Sequence, residues 1–380
     1  MSRLKHMRKK RIGFLLSSFG IGGAERQYWH LINQLDRSRF DVFVIRISHR
    51  KNRPGSAPPP DGVIVSTFEM KHKVDVGVAF RIAGYVRKNK IDLVQSLLFL
   101  DNQIAKLVGV LAWKPVITSV RGGPHLGKFR TWLDHHFAFF SRRIVVNSKW
   151  LKRILVKDGV ASDKVVVVHN GIDPTQFQTG REVAQLRDTF KIDEGRKILS
   201  IVARLHPMKQ HRMFFEVVAK VRERFPEVLG LVAGDGELRQ ELEEYVERAG
   251  LGKNVVFLGA VKETLSELLR ITDVLLLTSG WGESLPNVLL EGMSAGVPLV
   301  STDIHGVPEI IDDGVSGFTV SGGDSGAMAA RVVEILEDEA LQHKFVKEGL
   351  KKVQSFSMGA MVMNYERLYE SILSRGGAHA

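Results

Sequence analysis

The sequence predicts an α/β protein with two doubly wound parallel sheets in tandem. The chain has 380 residues, which is too long for one ordinary core and fits two domains of about 150–200 residues. Short apolar runs alternate with helical patterns along it, as expected where parallel strands are joined by crossover helices. A polar stretch without clear period, residues 173–195, interrupts this alternation, which then begins again.

The first half begins with a buried strand, a glycine-rich turn and a helix that runs to about Leu35. A proline-rich loop, RKNRPGSAPPPDG, follows the second strand. An amphipathic helix is predicted over residues 76–90. The predicted strands of this half are residues 11–19, 41–48, 92–98, 115–120, 142–148 and 164–170.

The second half repeats the pattern, and the tail carries an apolar stripe typical of a final helix, residues 357–374. We predict a first domain over 1–172, a connector over 173–195 and a second domain over 196–356. The predicted strands are 197–205, 229–236, 254–261, 273–279 and 298–302, and the helices between them are 209–224, 237–249, 263–270 and 286–295.

Composition excludes several classes of protein. A hydrophobic content of 44% and a charged content of 25% are ordinary for soluble globular proteins. No apolar run approaches the roughly 20 residues that span a bilayer. The basic amino end leads directly into a strand and does not resemble a secretory signal. The chain has no cysteine, which excludes disulfides and thiolate chemistry and is compatible with a reducing, cytoplasmic setting.

Charge is distributed unevenly between the two halves. Through Ile172 there are 31 Lys and Arg against 11 Asp and Glu, a balance of +20, and the remainder carries −8. Such a basic half attracts anionic lipid, nucleic acid or an anionic substrate. Residues 127–143 mix cations with five aromatic side chains. This segment either lies at a membrane interface or forms an internal helix packed on the sheet, and we favour peripheral contact with an anionic membrane.

Two carboxylates flank a predicted helix start in the segment 281–310. Glu283 precedes the helix and Glu291 lies on it, while Pro286 suits the first helical position, where no N–H is needed. The free backbone N–H groups from Ser284 to Asn287 form a seat for phosphate. One acid can therefore serve the sugar end of a nucleotide sugar while the other serves the ribose end.

Arg204 and Lys209 lie five residues apart, after a strand and at the start of a helix. A guanidinium and an ammonium placed there can neutralise a diphosphate and stabilise it as a leaving group. The alternative is two solvated charges in a loop. Nearer the amino end, Gly22 and Gly23 let the backbone approach a ligand closely, although an ordinary turn has the same composition.

Four motifs in this order resemble the retaining glycosyltransferases of family 4. They are FGIGGAER (19–26), the hinge sequence 170–173, VARLHPMKQH (202–211) and the acid-x7-acid element followed by HGVPE. Ala203 and Gln210 replace two glycines usual in the third motif. The resemblance implies the GT-B fold, α/β with two tandem Rossmann-like domains and an interdomain cleft, in which the final helix packs back on the first domain.

The resemblance also implies an activity. It is the transfer of a sugar, with retention, from a nucleoside diphosphate donor to a lipid-linked or polysaccharide acceptor. We favour UDP-hexose or UDP-N-acetylhexosamine over a GDP-sugar, and we expect cell-surface glycan or lipopolysaccharide assembly at the inner face of the cell membrane. Glu283, Arg204 and Lys209 are the expected catalytic residues. Donor-binding residues by resemblance are Glu291, Gly22, Gly23, Ser284, Leu285, Pro286, Asn287, Val261 and Gly234. His305 and Glu309 are expected to contribute, with a helix-end residue as the alternative role for Glu309.

The chain departs from the family after the strand 115–120. Family members commonly carry His-Gly there, and this chain has Arg121-Gly122, with His125 four residues later. An arginine cannot act as a base because its pKa lies far above neutrality. Arg121 and His125 are therefore expected on the acceptor and sugar side, where Arg121 binds a sugar substituent or an acidic acceptor.

No metal and no cofactor are expected, with the nucleotide sugar as a substrate. The chain has no Asp-x-Asp, and its adjacent His135 and His136 point in different directions on a helix. Two enzymatic alternatives remain, a soluble glycosyltransferase acting on a small sugar and a GT-B epimerase. A protein that binds nucleic acid through its basic half is disfavoured, because no nucleic-acid module is present.

Overall fold

The computed structural model describes residues 8–17, 23–48, 62–71, 75–122, 136–177, 182–190, 192–261 and 264–374. The chain divides into two compact units. The first unit comprises Met1–Gly171 and Met358–Ala380, and the second comprises Ile172–Ser357. The helices in the described ranges are α1 (Gly23–Gln34), α2 (Val76–Lys88), α3 (Phe99–Ala112), α4 (Lys149–Lys157), α5 (Val183–Thr189), α6 (His211–Arg222), α7 (Arg239–Arg248), α8 (Leu265–Arg270), α9 (Asn287–Ala295), α10 (Ser325–Glu337), α11 (Glu339–Val353) and α12 (Met358–Ser374).

A parallel sheet forms the centre of the first unit, with strand order β3-β2-β1-β4-β5-β6-β7. The order runs outwards from β1 and then restarts at β4, so the topological switch point lies between these two strands. Ligands of open α/β sheets bind at the carboxyl ends of the strands at such a point. The strands are β1 (Lys10–Leu16), β2 (Phe40–Ser48), β3 (Ile64–Glu69), β4 (Leu93–Ser96), β5 (Val116–Val120), β6 (Arg143–Val146) and β7 (Val165–Val167).

The second unit contains a parallel sheet with strand order β10-β9-β8-β11-β12-β13. Its order reverses between β8 and β11. Most of these strands are continuous apolar runs, because helices cover both faces of the sheet. The strands are β8 (Ile198–Val202), β9 (Leu229–Ala233), β10 (Val255–Gly259), β11 (Val274–Leu277), β12 (Leu299–Thr302) and β13 (Phe318–Val320). The predicted α/β class and the two tandem sheets are confirmed.

The final helix, α12, is part of the core of the first unit. Tyr365 and Tyr369 are buried in the same apolar cluster as Phe14 and Phe40. The hydroxyl of Tyr369 donates to Gln95 Oε1 at 2.6 Å. The carboxylate of Glu366 accepts a hydrogen bond from the backbone N–H of Asp36. Apolar burial and satisfied polar groups together hold the helix against this sheet.

The predicted connector, residues 173–195, is not a separate linker. It contains α5, whose Leu186 is fully buried against Ile192, Ile198 and Leu231 of the second unit. A seven-residue helix with a single buried side chain has too few apolar positions to show a period. Strand β3, an edge strand whose Ile64 and Val65 are exposed, was not predicted, and neither were the elements β13, α3, α4, α10 and α11.

Candidate active site

The loop after β8 carries both predicted phosphate-binding cations. Arg204 follows the strand, and Pro207–Lys209 form a single turn of 3-10 helix. The Nδ1 atom of His206 accepts a hydrogen bond from the backbone N–H of Met208 at 3.2 Å and so fixes this turn. Gln210, with φ 47°, then adopts the left-handed conformation for which the family uses glycine, and α6 begins at the next residue.

The ammonium of Lys209 forms an ion pair with the carboxylate of Glu283. Only 17% of the lysine side chain and 10% of the glutamate side chain are exposed to solvent. The hydroxyl of Ser279 donates to the same oxygen of Glu283 at 2.9 Å. A predicted phosphate ligand and the predicted catalytic acid are therefore brought together at the switch point between β8 and β11.

Backbone contacts join the β8 loop to the loop after β11. Thr278 Oγ1 donates to the carbonyl of Lys209 at 2.8 Å, and the N–H of Gly280 donates to the carbonyl of Met208 at 2.9 Å. These bonds fix the position of the main chain that carries Lys209, so its side chain is presented from a rigid support. Such preorganisation is what a charge-stabilising site requires.

Arg204 is held by a different carboxylate. Its guanidinium donates to Glu237 at 3.0 Å, and His206 Nε2 lies 3.6 Å from the other oxygen of Glu237. Both partners of the Arg204 pair are exposed. A hydrogen bond from its own backbone N–H lowers the pKa of Glu237, and Arg204 lowers it further. Arg204 and Lys209, the two cations predicted to bind phosphate, thus each form an ion pair with a carboxylate from a neighbouring loop.

Gly234 is required for the close approach of two backbones. Its φ is 148°, and a Cβ at this position would lie 1.9 Å from the carbonyl oxygen of Ala203. The N–H of Leu205 donates to the carbonyl of Asp235 at 3.0 Å in the same turn. The predicted close turn of GDG therefore packs the β9 loop on the β8 loop, while its contact with the nucleotide stays a prediction.

Helix α9 begins at Asn287, with Pro286 at the N-cap and not, as predicted, at the first helical position. The reason is that ψ of Pro286 is 113°, an extended value that leaves its carbonyl to accept from Leu289. Ser284 and Leu285 are buried beside this helix start. Glu291 lies in the second turn of α9 and is only 7% exposed.

The predicted loop 304–309 lies against the loop 281–287. The N–H of Gly306 donates to the carbonyl of Glu283 at 3.2 Å, and a Cβ on Gly306 would lie 1.8 Å from the carbonyl oxygen of Ser284. His305 has a left-handed φ of 51° immediately before it, and Glu309 ends a short turn of 3-10 helix. The carboxyl-end loops of β8, β11 and β12 therefore meet at one place.

Val261 lies beyond the carboxyl end of β10, the outer strand of the sheet. Its side chain packs against the cluster that contains Leu186 and Leu229. In the sheet order, β9 lies between β10 and β8, the strand that Lys209 follows, and both β9 and β8 lie between β10 and β11, the strand that Glu283 follows. The predicted backbone contact of Val261 with the base stays a prediction.

In the first unit, Gly23 begins α1 directly after the β1 loop. Gly22 and His125 lie outside the described residues, as do residues 127–135 of the predicted membrane segment. Arg121 follows β5 and donates to Asn170 Oδ1 and, at 3.1 Å, to the hydroxyl of Tyr365. Its predicted role toward sugar or acceptor stays a prediction.

Sequence analysis missed four polar residues near the two switch points. Ser279 orients Glu283, and Glu237 orients Arg204. Ser279 could have been found from the sequence, because it is a hydroxyl residue close to the end of an apolar strand. Burial lowers the pKa of His211, at the start of α6, to about 4, and the charge of Lys209 acts in the same direction. Asp101 is fully buried at the carboxyl end of β4, and burial raises its pKa to about 6.

Neither a metal cluster nor a membrane span is found in the described ranges. In that part of the chain, no group of three or more His, Asp or Glu side chains is arranged so that it could hold a metal ion. Among the helices described, none has the length and apolar character that crossing a bilayer needs.

Two family models match the chain in succession. Residues 21–176 match Glycosyltransferase Family 4, and residues 182–352 match Glycosyl transferases group 1. The first match falls largely in the first unit and the second match lies wholly in the second unit. Together they span most of the chain.

Proteins with assigned activities show more limited similarity. The chain is 30% identical over 210 residues to N-acetyl-alpha-D-glucosaminyl L-malate synthase of Bacillus anthracis, covering 55% of this chain and 54% of that protein. It is 25% identical over 297 residues to UDP-Gal:alpha-D-GlcNAc-diphosphoundecaprenol alpha-1,3-galactosyltransferase of Escherichia coli, covering 75% and 76%. The chain spans about half the length of the curated relatives to which it is 30% identical.

Solved structures of similar fold cover nearly the whole chain. Anabaena Alr3699/HepE, crystallised with UDP, has a TM-score of 0.82 at 19% identity, covering 95% of this chain and all of that one. The same protein has been crystallised with UDP-glucose. A glycosyltransferase from Rickettsia africae has a TM-score of 0.83 at 18% identity, covering 97% and 99%. Similarity at this level of identity shows the fold.

Proposed function

The chain belongs to the family 4 glycosyltransferases with the GT-B fold, and from this premise we propose that it transfers a sugar, with retention, from a UDP-sugar to a glycan or lipid-linked acceptor. One observation carries the proposal. Lys209 and Glu283 meet at the switch point of the second sheet, where α/β proteins bind nucleotides.

The geometry around this pair suits a diphosphate. Helices α6 and α9 both begin beside it, and neither has an acidic residue in its first turn. The positive dipole ends of these helices therefore favour an anion. Arg204 and Lys209 supply two positive charges from the same loop, and a nucleoside diphosphate supplies two phosphates to receive them. In this role both cations leave their carboxylate partners for the phosphate oxygens.

The preference for uridine rests on relatives. The Escherichia coli relative is named for UDP-Gal, and the fold neighbour HepE was crystallised with UDP and UDP-glucose. We accordingly propose a UDP-hexose or UDP-N-acetylhexosamine as donor. The carboxylate of Glu291 accepts hydrogen bonds from the ribose hydroxyls in this assignment.

We propose front-face displacement as the mechanism. The bond between the anomeric carbon and the donor phosphate breaks as the acceptor oxygen attacks the same face of the sugar. The acceptor proton passes to the departing phosphate oxygen, and the diphosphate leaves with its charge balanced by Arg204 and Lys209. Glu283, released from Lys209, hydrogen-bonds the sugar and stabilises the oxocarbenium-like transition state. Because these side chains supply the positive charge, we propose that transfer proceeds without a metal ion, so a chelator should leave the rate unchanged.

The acceptor is proposed to be bound by the first unit, where Arg121 and His125 lie. A diphosphoundecaprenol-linked glycan is the acceptor in the name of the Escherichia coli relative. The large positive balance of residues 1–172 suits work at the inner, anionic face of the cell membrane, in the assembly of cell-surface glycans such as lipopolysaccharide. The Bacillus anthracis relative, named for a malate product, supports the second candidate, a transferase for a small soluble acceptor.

Thermal unfolding with a panel of nucleotides tests the donor assignment. A ligand that binds only the native state raises the unfolding temperature by mass action. UDP and UDP-sugars should raise it in the wild type, while GDP should not. A larger shift with GDP would contradict the uridine assignment, and no shift with any nucleotide would contradict the transferase. Nuclear magnetic resonance of the product then reads the anomeric configuration, and inversion would refute the mechanism.

A further inference from the structure

An aromatic and basic surface lies at the edge of the first sheet opposite to the predicted ligand edge. Trp113 caps the end of α3, before β5 begins, and Phe137, Phe139 and Phe140 precede β6. Trp113 is 91% exposed and Phe139 is 65% exposed. The rings of Phe139 and Phe140 lie 4.0 Å apart, so these two side chains form one apolar patch. We call this surface, with Lys114, Arg142, Arg143 and Lys164, the aromatic edge.

Hydrogen bonds join the parts of the aromatic edge. The N–H of Arg142 donates to the carbonyl of Val116, the first residue of β5. The ammonium of Lys164 donates to the carbonyls of Phe139 at 3.1 Å and Ser141 at 3.3 Å. The patch therefore lies where three neighbouring strands, β5, β6 and β7, begin. These hydrogen bonds fix the main chain that bears its side chains.

Trp113 occupies a position for which the fold itself would favour glycine. Its φ is 56° and its ψ is 46°, the left-handed conformation that ends many helices. Side chains other than glycine are strained there. Because this large side chain is almost fully exposed at a strained position, it contributes little apolar burial to the fold and is available for contact with something outside this chain.

The charges around the aromatic edge identify the kind of partner. Lys114, Arg142 and Arg143 have no ion pair with any carboxylate in the described part of the chain. The acidic residue nearest in the sequence to Arg142 is Asp134, which lies outside the described residues, and Asp163 directly precedes Lys164. Burial lowers the pKa of Lys164, and the positive charges of Arg142 and Arg143 lower it further while Asp163 opposes them. The edge is therefore a region of crowded positive charge.

We propose that the aromatic edge binds the surface of an anionic phospholipid bilayer. Tryptophan and phenylalanine lie favourably at the level of the headgroups, while lysine and arginine attract acidic lipids. A second copy of the chain fits less well, because a two-fold contact would bring the same positively charged patch of both copies together. The proposal rests on the membrane setting given under the proposed function and assigns that contact to particular residues.

Docking through this edge has a consequence for the acceptor. The five residues of β5 separate the aromatic edge from the carboxyl edge by about 16 Å. An acceptor hydroxyl must therefore stand roughly that far above the headgroups if the strands meet the bilayer upright. A glycan carried on a lipid meets this requirement better than a bare lipid headgroup.

Trp113→Gly is the informative variant, because glycine suits the left-handed cap and the fold should tolerate it. Wild type should sediment with vesicles of phosphatidylcholine mixed with phosphatidylglycerol, and far less with phosphatidylcholine alone. Trp113→Gly should reduce the bound fraction about tenfold, since one large apolar side chain no longer enters the interface. Phe80→Ala is the matched control, because Phe80 is an exposed aromatic residue on α2, outside the edge. This control should bind as the wild type does.

Three results would overturn the proposal. In the first, the wild type does not sediment with anionic vesicles. In the second, Trp113→Gly binds the vesicles as well as the wild type does. In the third, the wild type is a dimer in the absence of vesicles and Trp113→Gly is a monomer. UDP-induced thermal stabilisation is measured in the same preparations. If UDP still stabilises the protein but the vesicles are not bound, only the proposal for the aromatic edge is refuted. If UDP does not stabilise the protein, the donor assignment is refuted.

Discussion

The ammonium of Lys209 lies against the carboxylate of Glu283 although 74 residues separate them in the chain. The pair spans the two strands between which the order of the second sheet reverses. Under the proposed function, the cation that binds phosphate is thus neutralised, while the donor is absent, by the acid that binds the sugar. A buried ion pair of this kind contributes little net stability, because desolvation offsets most of the attraction. Under the proposed function, the pair keeps both groups in place for the donor.

Glu283→Gln should nearly abolish sugar transfer while the protein remains folded. The amide keeps the shape of the side chain but removes the negative charge that stabilises an oxocarbenium-like transition state. Because Lys209 then loses its buried partner, the free energy of unfolding should fall by about 1–3 kcal/mol. Turnover with a UDP-sugar and thermal unfolding measure the two effects. Glu334→Gln, at an exposed pair with Arg331, is the control, and near-normal turnover of Glu283→Gln would refute the assignment.

Lys209→Ala should weaken donor binding much more than acceptor binding. Loss of a charge-assisted contact to phosphate should raise the dissociation constant for UDP by about 10- to 100-fold. Titration calorimetry with UDP measures this change directly. Lys220→Ala removes an exposed lysine from the same helix region and should leave UDP affinity unaltered. An unchanged affinity in Lys209→Ala would contradict the phosphate role.

The sequence was sufficient to predict the alternation of strands and helices and to identify the charged residues near the switch point of the second sheet. Arg204, Lys209 and Glu283 were predicted as ligands of one substrate, and Lys209 and Glu283 do meet. Strand β3 escaped prediction because it is an exposed edge strand without a buried apolar face. Helix α5 escaped because one buried leucine defines no period.

The ion pairs between side chains of different loops could not be predicted from the sequence. The pairs Lys209–Glu283 and Arg204–Glu237 depend on which loops the sheet order places side by side, and β8 has β9 on one flank and β11 on the other. The exposure of Trp113 could not be predicted either, because no local sequence feature indicates that the residue at the end of α3 has a left-handed conformation. Tertiary placement, not residue type, decides these features.

Glu237→Gln should tighten UDP binding. In the absence of donor, Glu237 competes with phosphate for Arg204, and the glutamine competes less because it carries no charge. The pair is exposed, so the gain should be small, about two- to fivefold in the dissociation constant. It should shrink as the salt concentration rises, since salt screens exposed charges. Glu241→Gln, at another exposed pair one turn further on, is the control. Weaker binding by Glu237→Gln would show that Glu237 holds Arg204 in position for the donor and does not compete with it.

His211 should make the protein less stable in mild acid. Its folded pKa of about 4 lies below the value of 6.5 for a free histidine, so the unfolded chain binds more protons between these values. The contribution to stability is therefore complete above about pH 6.5 and is lost as the pH falls toward 4. The full loss is about 3 kcal/mol.

His211→Leu isolates this effect, because leucine does not titrate and neither ring nitrogen of His211 makes a well-formed hydrogen bond among the described residues. The unfolding temperature of this variant should fall less than that of the wild type between pH 7 and pH 4.5. Only the difference between the two proteins is informative, since Asp101, with its raised pKa, acts in the opposite direction in the first unit. His343→Leu, at an exposed histidine on α11, should retain the wild-type dependence on pH. Parallel curves for His211→Leu and wild type would mean that the pKa of His211 is the same in the folded and unfolded chains, so that this histidine does not set the acid limit of the fold.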